Sequence, residues 1–237
     1  MLDFLFDVYN LRILSALVML SIATAIDVWK REINDSLWIA FGLLAVVFIF
    51  FEHDPVIALR TLGISLIITP VALMIWRLGI FGGADAFGLM VLAGLAPNIS
   101  LSGTLITPLT TLTNAAILST APLLVNFIRN LIAISNHENI FEGFDETRFK
   151  KVAAIFLGYR SKNPKYSFSI DKMEGNSKKL DFSIRNVEHE HFCNSSNTWV
   201  TPGIPYMLYI TGGFITQLFF GDIIFNIVGN FLARPYI

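Results

Sequence analysis

The sequence predicts an all-α polytopic membrane protein, with about six transmembrane helices and a small cytoplasmic α+β insert before the last helix. Composition is the first observation: 54% of the residues are hydrophobic, only 15% are charged, and the mean hydropathy is +0.62. An ordinary soluble domain carries roughly 25% charged residues. A disordered chain is therefore excluded, and a soluble globule is disfavoured. The net charge of −1 gives no sign of a nucleic-acid partner.

The position of the charged residues is the second observation, because they are concentrated in one stretch. Ten of the 17 Lys and Arg residues lie between Arg148 and Arg185, and nine of the 18 Asp and Glu residues lie between Glu138 and Glu190. This distribution predicts three parts: a membrane domain over residues 1–134, a soluble cytoplasmic insert over 135–200, and a final membrane segment over 201–237.

Apolar segments supply the third observation, since a helix needs roughly 20 mostly apolar residues to cross a bilayer. Six segments meet or approach that length: residues 9–28, 36–52, 56–79, 85–97, 108–133 and 204–233. The sixth contains Gly212, Gly213 and Gly221, so we expect it to bend or break. A cleaved signal peptide is not expected, because the first segment has no small-residue cleavage site.

The short loops predict the orientation, because Lys and Arg in such loops favour the cytoplasmic side. Lys30 and Arg31 follow the first segment, Arg77 follows the third, and Arg129 follows the fifth. With six spans, all these loops fall on one side. We therefore expect a multipass protein of the plasma membrane, with both termini outside and the insert in the cytoplasm.

The insert shows its own local patterns. Residues 142–154 have the pattern of an amphipathic helix, and residues 166–170 and 180–184 alternate apolar and polar side chains as half-buried strands do. Gly175 and Asn176 lie between the two strands and predict a turn. A module of about 60 residues buries little core of its own, so we expect it to lean on the membrane face.

Acidic residues at the edges of apolar segments are candidates for function, because a charge costs roughly 2.5–3.5 kcal/mol at the middle of a membrane helix. Asp27 ends a segment that runs inward, and Asp85 begins one that runs outward, so we expect both at matched depth on the cytoplasmic side. Two carboxyl groups that share a site do not both ionise easily. One can then activate a water as general base while the other, protonated, polarises a scissile carbonyl, as in an aspartyl protease. Gly82, Gly83 and Ala84 directly precede Asp85 and would give a substrate strand a close approach.

Other interpretations of these aspartates stay open at this point. Asp85 could simply cap the fourth helix, because Asp is favoured at helix N-termini. A small proton- or ion-coupled transporter could relay protons through Asp27, Asp85 and Asp222, although the chain shows no internal repeat of the kind transporters have. A membrane scaffold whose insert binds a partner would leave Asp27 and Asp85 without a catalytic role.

Three stretches resemble the archaeal branch of the type IV prepilin peptidases, and most closely the preflagellin (prearchaellin) peptidases, which are GxGD-type aspartyl proteases. Residues 27–35, DVWKREIND, resemble the family's pattern of an aspartate, three residues, then Arg-x-Ile. Residues 82–85, GGAD, resemble its GxGD signature. Residues 199–205, WVTPGIP, resemble the segment that re-enters the membrane after the insert. In layout the resemblance covers the whole chain.

The resemblance implies a membrane aspartic endopeptidase in which Asp27 and Asp85 are the catalytic residues. It implies removal of the short basic leader from archaellin or type IV pilin-like precursors, at the cytoplasmic side of the lipid bilayer, without a metal or an organic cofactor. The leader's positive charge is expected to meet Asp27, Glu32, Asp35 or Asp85. Arg31 is expected to anchor the topology or to pair with Asp35.

The sequence also departs from the family pattern. Ala84 stands where the signature has its second Gly; one methyl group restricts the backbone there, and we expect activity to survive. Phe87 stands where many relatives have Lys, and Asn34 stands where Pro is frequent. Cys193 is the only cysteine, so the paired-cysteine zinc segment of the bacterial enzymes, and their N-methyltransferase activity, are not implied.

Overall fold

The computed structural model describes residues 7–97, 107–174, 177–183, 191–224 and 226–227. In this part of the chain the protein is mostly helical, with two small β-sheets. The helices are α1 Val8–Lys30, α2 Asp35–Ile49, α3 Pro55–Ser65, α4 Ile68–Arg77, α5 Gly83–Leu95, α6 Thr107–Leu118, α7 Ala121–Ser135, α8 Arg148–Leu157 and α9 Tyr206–Phe220. The strands are β1 Tyr159–Ser161, β2 Ser167–Ser169, β3 Asp171–Glu174, β4 Ser177–Leu180 and β5 Thr198–Pro202.

Three helical stretches of the described part are long and apolar enough to cross a membrane: Val8–Lys30, Pro55–Arg77 and Pro108–Ser135. The helices α2, α5 and α9 are apolar but shorter. The predicted third and fifth segments are each built from two consecutive helices, α3 with α4 and α6 with α7. The predicted class of a mostly helical membrane protein is thus confirmed, while the count of six spans stays a prediction.

Polar side chains set the starts of several helices. The side chains of Asp7, Asn34 and Asp54 accept hydrogen bonds from backbone N–H groups in the first turns of α1, α2 and α3. Thr147 does the same for α8. Such caps satisfy N–H groups that have no partner inside the helix. Asn34, at the position where the family pattern often has Pro, therefore has a local role as the N-cap residue of α2.

Residues 1–119 and 205–237 form the first of two compact units. Its apolar core brings together Leu20 of α1, Leu89 of α5 and Phe214 of α9, all fully buried. The helices α6 and α9 approach each other at backbone level. A Cβ atom on Gly213 would collide with the Thr111 carbonyl oxygen and would lie 2.7 Å from the Ala115 nitrogen. The absence of a side chain at residue 213 is therefore what permits this close packing.

A largely buried polar cluster joins the same two helices, and we call it the α6–α9 polar cluster: Thr111, Thr113, Asn114, Gln217 and Asp222. The Thr111 hydroxyl donates to Gln217 Oε1 at 2.7 Å, and the Thr113 hydroxyl lies 2.9 Å from Asp222 Oδ2. These bonds satisfy polar groups that the bilayer interior would otherwise leave without partners.

Gly221 ends α9 and breaks the predicted sixth segment. Its φ of +70° lies in the left-handed region that favours glycine. The Asn114 amide holds the chain on both sides of this break, because its Nδ2 donates to the Gly221 carbonyl at 2.9 Å and its Oδ1 accepts from the Ile223 N–H at 3.1 Å. The expected break therefore occurs at Gly221, whereas Gly212 and Gly213 lie inside the helix.

Arg12 is a buried cation on α1, with 3% of its surface exposed. Its Nη1 donates to the carbonyl oxygens of Gly94 at 3.1 Å and Leu95 at 3.2 Å, which are the last carbonyls of α5. Its Nε lies 3.0 Å from Glu52 Oε1. A cation is favoured at a helix C-terminus, so Arg12 holds the end of α5 that is opposite to Asp85.

Residues 120–204 form the second compact unit. Its three-stranded antiparallel sheet has the order β1-β5-β2, and β3 and β4 form a separate antiparallel pair. Trp199 of β5 is fully buried, donates from Nε1 to the Ile140 carbonyl at 2.8 Å, and stacks on Phe141 at 4.9 Å between ring centroids. The stretch that resembles the family's re-entry segment thus begins as the central strand of this sheet.

The helix α7 belongs to this unit and packs against α8 through two asparagines. Asn126 Nδ2 donates to the Phe156 carbonyl at 3.1 Å, and Asn130 Nδ2 donates to the Ile155 and Gly158 carbonyls at 2.8 Å and 2.7 Å. These are carbonyls at the C-terminal end of α8, which has no helical partners for them. One face of α7 is therefore polar and engaged by α8.

The insert elements differ in position from their predicted bounds. The helix is Arg148–Leu157 instead of 142–154, because Gly143 has a φ of +81° and Thr147 caps the helix only afterwards. β2 begins after Tyr166, whose φ is +47°. β4 ends at Leu180, and the Asp181 side chain then accepts from the Ser183 N–H in a turn. The turn predicted at residues 175–176 lies outside the described residues, and the division into parts 1–134, 135–200 and 201–237 stays a prediction.

Candidate active site

Asp27 lies in the last turn of α1 and is half-buried. Its Oδ2 accepts a hydrogen bond from the backbone N–H of Met207 at 3.3 Å. Met207 is the second residue of α9, so the Asp27 carboxylate sits at a helix N-terminus, where a negative charge is favoured. Arg31, one turn further along the chain, is close enough to attract the same carboxylate.

Asp85 is the third residue of α5, and only 7% of its surface is exposed. Its Oδ2 accepts from the Gly82 N–H at 3.0 Å. This is one half of a capping box; Gly82 has no side chain that could supply the other half. Asp85 therefore caps the start of α5, as one of the interpretations from sequence predicted. A cap of this kind is compatible with a catalytic role.

The two carboxylates lie near one another in the first compact unit. Asp27 accepts from the Met207 N–H, and the Met207 side chain packs on Gly88, one turn after Asp85, although the two aspartates are far apart in sequence. Each is held by one backbone N–H, Asp27 at the start of α9 and Asp85 at the start of α5. Two acids brought together inside a membrane core repel each other when both are charged, which is the electrostatic condition for a shared proton.

A glycine and two threonines hold the elements that carry the aspartates. A Cβ atom on Gly88 of α5 would lie 2.5 Å from Met207 Cε and 3.3 Å from a Trp38 ring carbon. The Thr24 hydroxyl donates to the Met207 carbonyl at 3.1 Å and lies 2.6 Å from the Thr211 hydroxyl. Met207 therefore contacts the helices of both aspartates at once.

Aromatic side chains line the surroundings of the pair. Phe81 stacks on Tyr206 with 5.5 Å between ring centroids, and Tyr206 is close enough to Asp85 to interact with its charge. Phe87 packs against Trp76 at 5.9 Å. The residue that replaces the family's frequent Lys is therefore part of the apolar packing of α5.

The sequence did not single out Met207, Tyr206, Thr24 or Gly88. Met207 lies 180 residues beyond Asp27 in the chain, Tyr206 directly precedes Met207, and an ordinary Met or Tyr carries no sequence signal. The one available signal was Gly88, a glycine one turn after Asp85 on the same helix face. A glycine in a helix interior is costly, and this suggests a close neighbour.

The remaining predicted site residues lie on the chain near one aspartate or the other. Gly82 has φ −78° and ψ 164°, angles that any residue adopts, and Gly83 begins α5, so no unusual backbone angle is present at either. Arg31 ends α1 with a φ of +59°. Glu32 and Asp35 are exposed, and Asp35 is the first residue of α2.

A mostly helical membrane core that carries two neighbouring carboxylates, the half-buried Asp27 and the buried Asp85, defines the class of an integral-membrane protein with a candidate aspartic site. A profile of the "Type IV leader peptidase family" matches residues 14–125, which include both aspartates. A second profile, "Archaeal Peptidase A24 C-terminus Type II", matches residues 128–223.

Two curated relatives agree with these profiles. A preflagellin peptidase of Methanocaldococcus jannaschii is 27% identical over 229 residues, which cover 90% of this chain and 94% of the relative. A preflagellin peptidase of Methanococcus maripaludis is 26% identical over 215 residues, which cover 86% of this chain and 92% of the relative.

The chain belongs to the Peptidase A24 family, in its archaeal type. This family consists of integral-membrane aspartic endopeptidases that cleave leader peptides from pilin and flagellin precursors. Family membership thus confirms the predicted resemblance and favours the peptidase over both the transporter and the scaffold.

Proposed function

We propose that Asp27 and Asp85 are the catalytic pair with which this protein cleaves its precursor substrates. The observation that carries the proposal is their juxtaposition: the start of α9 binds the Asp27 carboxylate through the Met207 N–H and packs on α5 at Gly88, one turn from the buried Asp85. Both also lie within the stretch that matches the leader peptidase profile.

The geometry supports the usual division of work between two acids. The ionised carboxylate removes a proton from a water, whose oxygen then forms a bond to the scissile carbonyl carbon. The protonated carboxyl group donates a hydrogen bond to the carbonyl oxygen and gives it the proton. Collapse of the tetrahedral intermediate breaks the C–N bond: one hydroxyl group returns its proton to the carboxylate that protonated it, and the amine leaves with the proton that the other acid took from water.

The substrate in this proposal is an archaellin or type IV pilin-like precursor. Both curated relatives are named preflagellin peptidases, which supports this class. Glu32 and Asp35 are exposed acids on the α1–α2 connection near Asp27 and offer charges to a basic leader. Gly82, Gly83 and Ala84 form the approach to Asp85, and Arg31 supports the position of Asp27.

Cleavage in this proposal takes place at the cytoplasmic side of a six-span protein. The Lys and Arg residues of the short loops support that orientation. The irregular backbone between α1 and α2, and between α4 and α5, must face protein or water where it lies at membrane depth. Entry of water from the cytoplasm between the helices that carry the aspartates would meet this requirement.

The test is processing of a preflagellin in membranes that contain the full-length protein, followed by gel shift of the shortened product. Asp27→Asn and Asp85→Asn are each expected to reduce the cleavage rate by about a hundredfold to ten-thousandfold, because an amide that cannot exchange protons replaces a general acid or base. Membrane insertion should be unchanged in both. Asp145→Asn makes the same replacement at an exposed residue of the second unit, to which no role in cleavage is assigned, and serves as the matched control.

Normal processing by either the Asp27 or the Asp85 variant would show that the pair is misassigned. If the orientation is wrong, the protein still cleaves detergent-solubilised precursor. In sealed right-side-out vesicles it would then act on precursor added outside, and this separates the chemistry from the topology.

A further inference from the structure

We infer that the second compact unit carries a binding site for an anionic phospholipid headgroup, on residues that the leader peptidase chemistry does not use. The site is a cavity of about 370 Å³ at the junction of α7 and β1. Its lining includes three cationic side chains, Arg129, Arg160 and Lys162, and one carboxylate, Glu138. All of these residues lie within the second unit.

Two of the cations are held in place by neighbouring groups. The Arg129 guanidinium lies over the Tyr159 ring, with 3.7 Å from Cζ to the ring centroid. Arg160 Nε donates to Asn197 Oδ1 at 2.9 Å, and its Nη1 donates to the Asn139 carbonyl at 3.1 Å. A guanidinium whose orientation is already set loses less conformational entropy when it binds an anion.

The charge of the cavity favours an anion. Three cations face the single carboxylate of Glu138. The Glu142 carboxylate lies 3.8 Å from Arg160 Nη1 and is mostly exposed, so it neutralises little of that charge. A phosphate oxygen can accept from both guanidinium groups and from the Lys162 ammonium. A basic leader peptide would be repelled here.

An exposed apolar surface adjoins the cationic cavity. Arg129 also lines a second, smaller concavity whose other members are Val125, Ile128 and Ile132 of α7. All three side chains are more than half exposed. The opposite face of α7 is engaged by α8 through Asn126 and Asn130, so this apolar face is the one left for lipid chains.

A cationic cavity that adjoins an apolar surface fits a ligand that is itself amphiphilic. A free phosphate would use the cations and leave the apolar surface in water, whereas a phospholipid places its headgroup on Arg129 and its acyl chain along α7. The number of residues before Arg129 agrees with a headgroup site. The apolar helical stretch begins at Pro108, and roughly 20 residues cross the hydrocarbon core. Arg129 therefore comes just after the crossing, at the level of the headgroups.

The test measures binding of single lipids to the full-length protein in detergent by native mass spectrometry. The probe is dioctanoyl phosphatidylglycerol, with dioctanoyl phosphatidylcholine as the neutral-headgroup comparison. Arg129→Gln and Lys162→Gln are each expected to weaken phosphatidylglycerol binding about fivefold, and the double variant about twentyfold, as removal of cations near an anionic surface does. Lys172→Gln removes one exposed cation from β3 and is the matched control, with no change expected.

Three results would overturn the inference: equal affinity for the two lipids, an equal loss of binding in the Lys172 variant, or displacement of phosphatidylglycerol by inorganic phosphate at similar concentration. The last of these would mean a site for the free anion. If the Arg129 variant unfolds because its contact with Tyr159 is lost, the Lys162 variant decides alone, since Lys162 is exposed. None of these outcomes depends on the catalytic pair.

Discussion

Asp85 and Asp222 are both buried acids in the first compact unit, but their surroundings differ. Asp222, with 1% of its surface exposed, lies in the α6–α9 polar cluster, where the Thr113 hydroxyl faces its carboxylate. Asp85 has the single N–H of Gly82 and, nearby, the like charge of Asp27. An acid surrounded by polar partners is satisfied by its structure, whereas an acid beside another acid is held in a costly arrangement. Costly arrangements of this kind mark functional sites more often than structural ones.

The strongest way to break this comparison is to neutralise each acid in turn. Asp85→Asn should abolish processing and leave the thermal unfolding temperature unchanged or higher, because the replacement oxygen still accepts the Gly82 N–H and a repulsive charge is removed. Asp222→Ala should retain processing within about tenfold but destabilise the protein by about 1–3 kcal/mol, since polar groups of the cluster lose a partner. Cleavage assays and thermal unfolding in detergent measure the two effects. Loss of stability in the Asp85 variant with retained cleavage would reverse the assignment of roles.

Replacement of glycine by alanine compares how tightly the backbone is packed beside the two aspartates and beside the α6–α9 polar cluster. Gly213→Ala should destabilise the protein by about 3 kcal/mol, because the added methyl group meets the backbone of α6, which cannot move away. Gly88→Ala should cost about 1 kcal/mol, since the atom it meets is the flexible end of Met207. Gly42→Ala, where nothing lies within 4 Å, is the control. Equal losses at residues 88 and 213 would mean that the site is packed as rigidly as the polar cluster.

Substitutions of Arg12 test the C-terminal end of α5, the helix that carries Asp85 near its start. Arg12→Met should destabilise the protein by about 1–3 kcal/mol, because the last carbonyls of α5 and the Glu52 carboxylate lose their cation. Arg12→Lys should recover only part of this loss, since an ammonium cannot reproduce the guanidinium fork. Unfolding midpoints of the two variants, compared at matched detergent concentration, measure the difference. A Lys variant as unstable as the Met variant would show that hydrogen-bond geometry matters more than charge.

Glu146 extends the comparison to an acid of the second compact unit, and we expect the smallest effect here. Burial of its side chain, 4% exposed, raises its pKa, but the Leu180 N–H at 2.7 Å and the Lys150 ammonium at 3.1 Å outweigh burial and lower the pKa below its ordinary value. A lowered folded-state pKa means that the stabilisation is present above the ordinary pKa, near 4.5, and is lost as the pH falls through the folded-state value.

Glu146→Gln should therefore lower the unfolding midpoint at pH 7, and this difference should shrink as the pH falls below about 4.5, because the native carboxyl group then loses its charge. Thermal unfolding of both proteins across this range provides the measurement, with the exposed Glu138→Gln as control. A pH-independent difference would mean that the packing of the side chain matters and its charge does not.

The sequence was informative in the apolar segments, where ionisable side chains are rare. In apolar segments Asp27 and Asp85 stand out because few charges accompany them, and the break at Gly221 followed from glycine in a long segment. The contacts that these residues make in the fold could not be predicted from the sequence in the same way. The contact of Asp27 with Met207 depends on how α1 and α9 pack, and backbone N–H groups are the same at every residue except proline.

Polar residues within the apolar segments are a further signal in the sequence, because each of them predicts a polar neighbour in the fold. Asn126 and Asn130 are four residues apart and so share one face of a helix, which predicts a polar neighbour. Asn114 and Gln217 are equally costly in an apolar span unless they are bonded. The helix and strands of the insert begin at other residues than predicted for a local reason, since left-handed angles at Gly143 and Tyr166 shift where regular structure begins.

The short reach of α5 has a consequence for the membrane around it. From Asp85 to the Leu95 carbonyl that Arg12 holds is about 15 Å of helix, roughly half the thickness of the hydrocarbon core. The neighbouring stretch Pro55–Arg77 has 23 residues, enough to match the whole core. Among the described residues, a stretch long enough for the whole core thus lies beside a helix that matches about half of it, which is a hydrophobic mismatch within the first unit. We expect water to enter beside the short helix, and a hydrolase needs that water at Asp85.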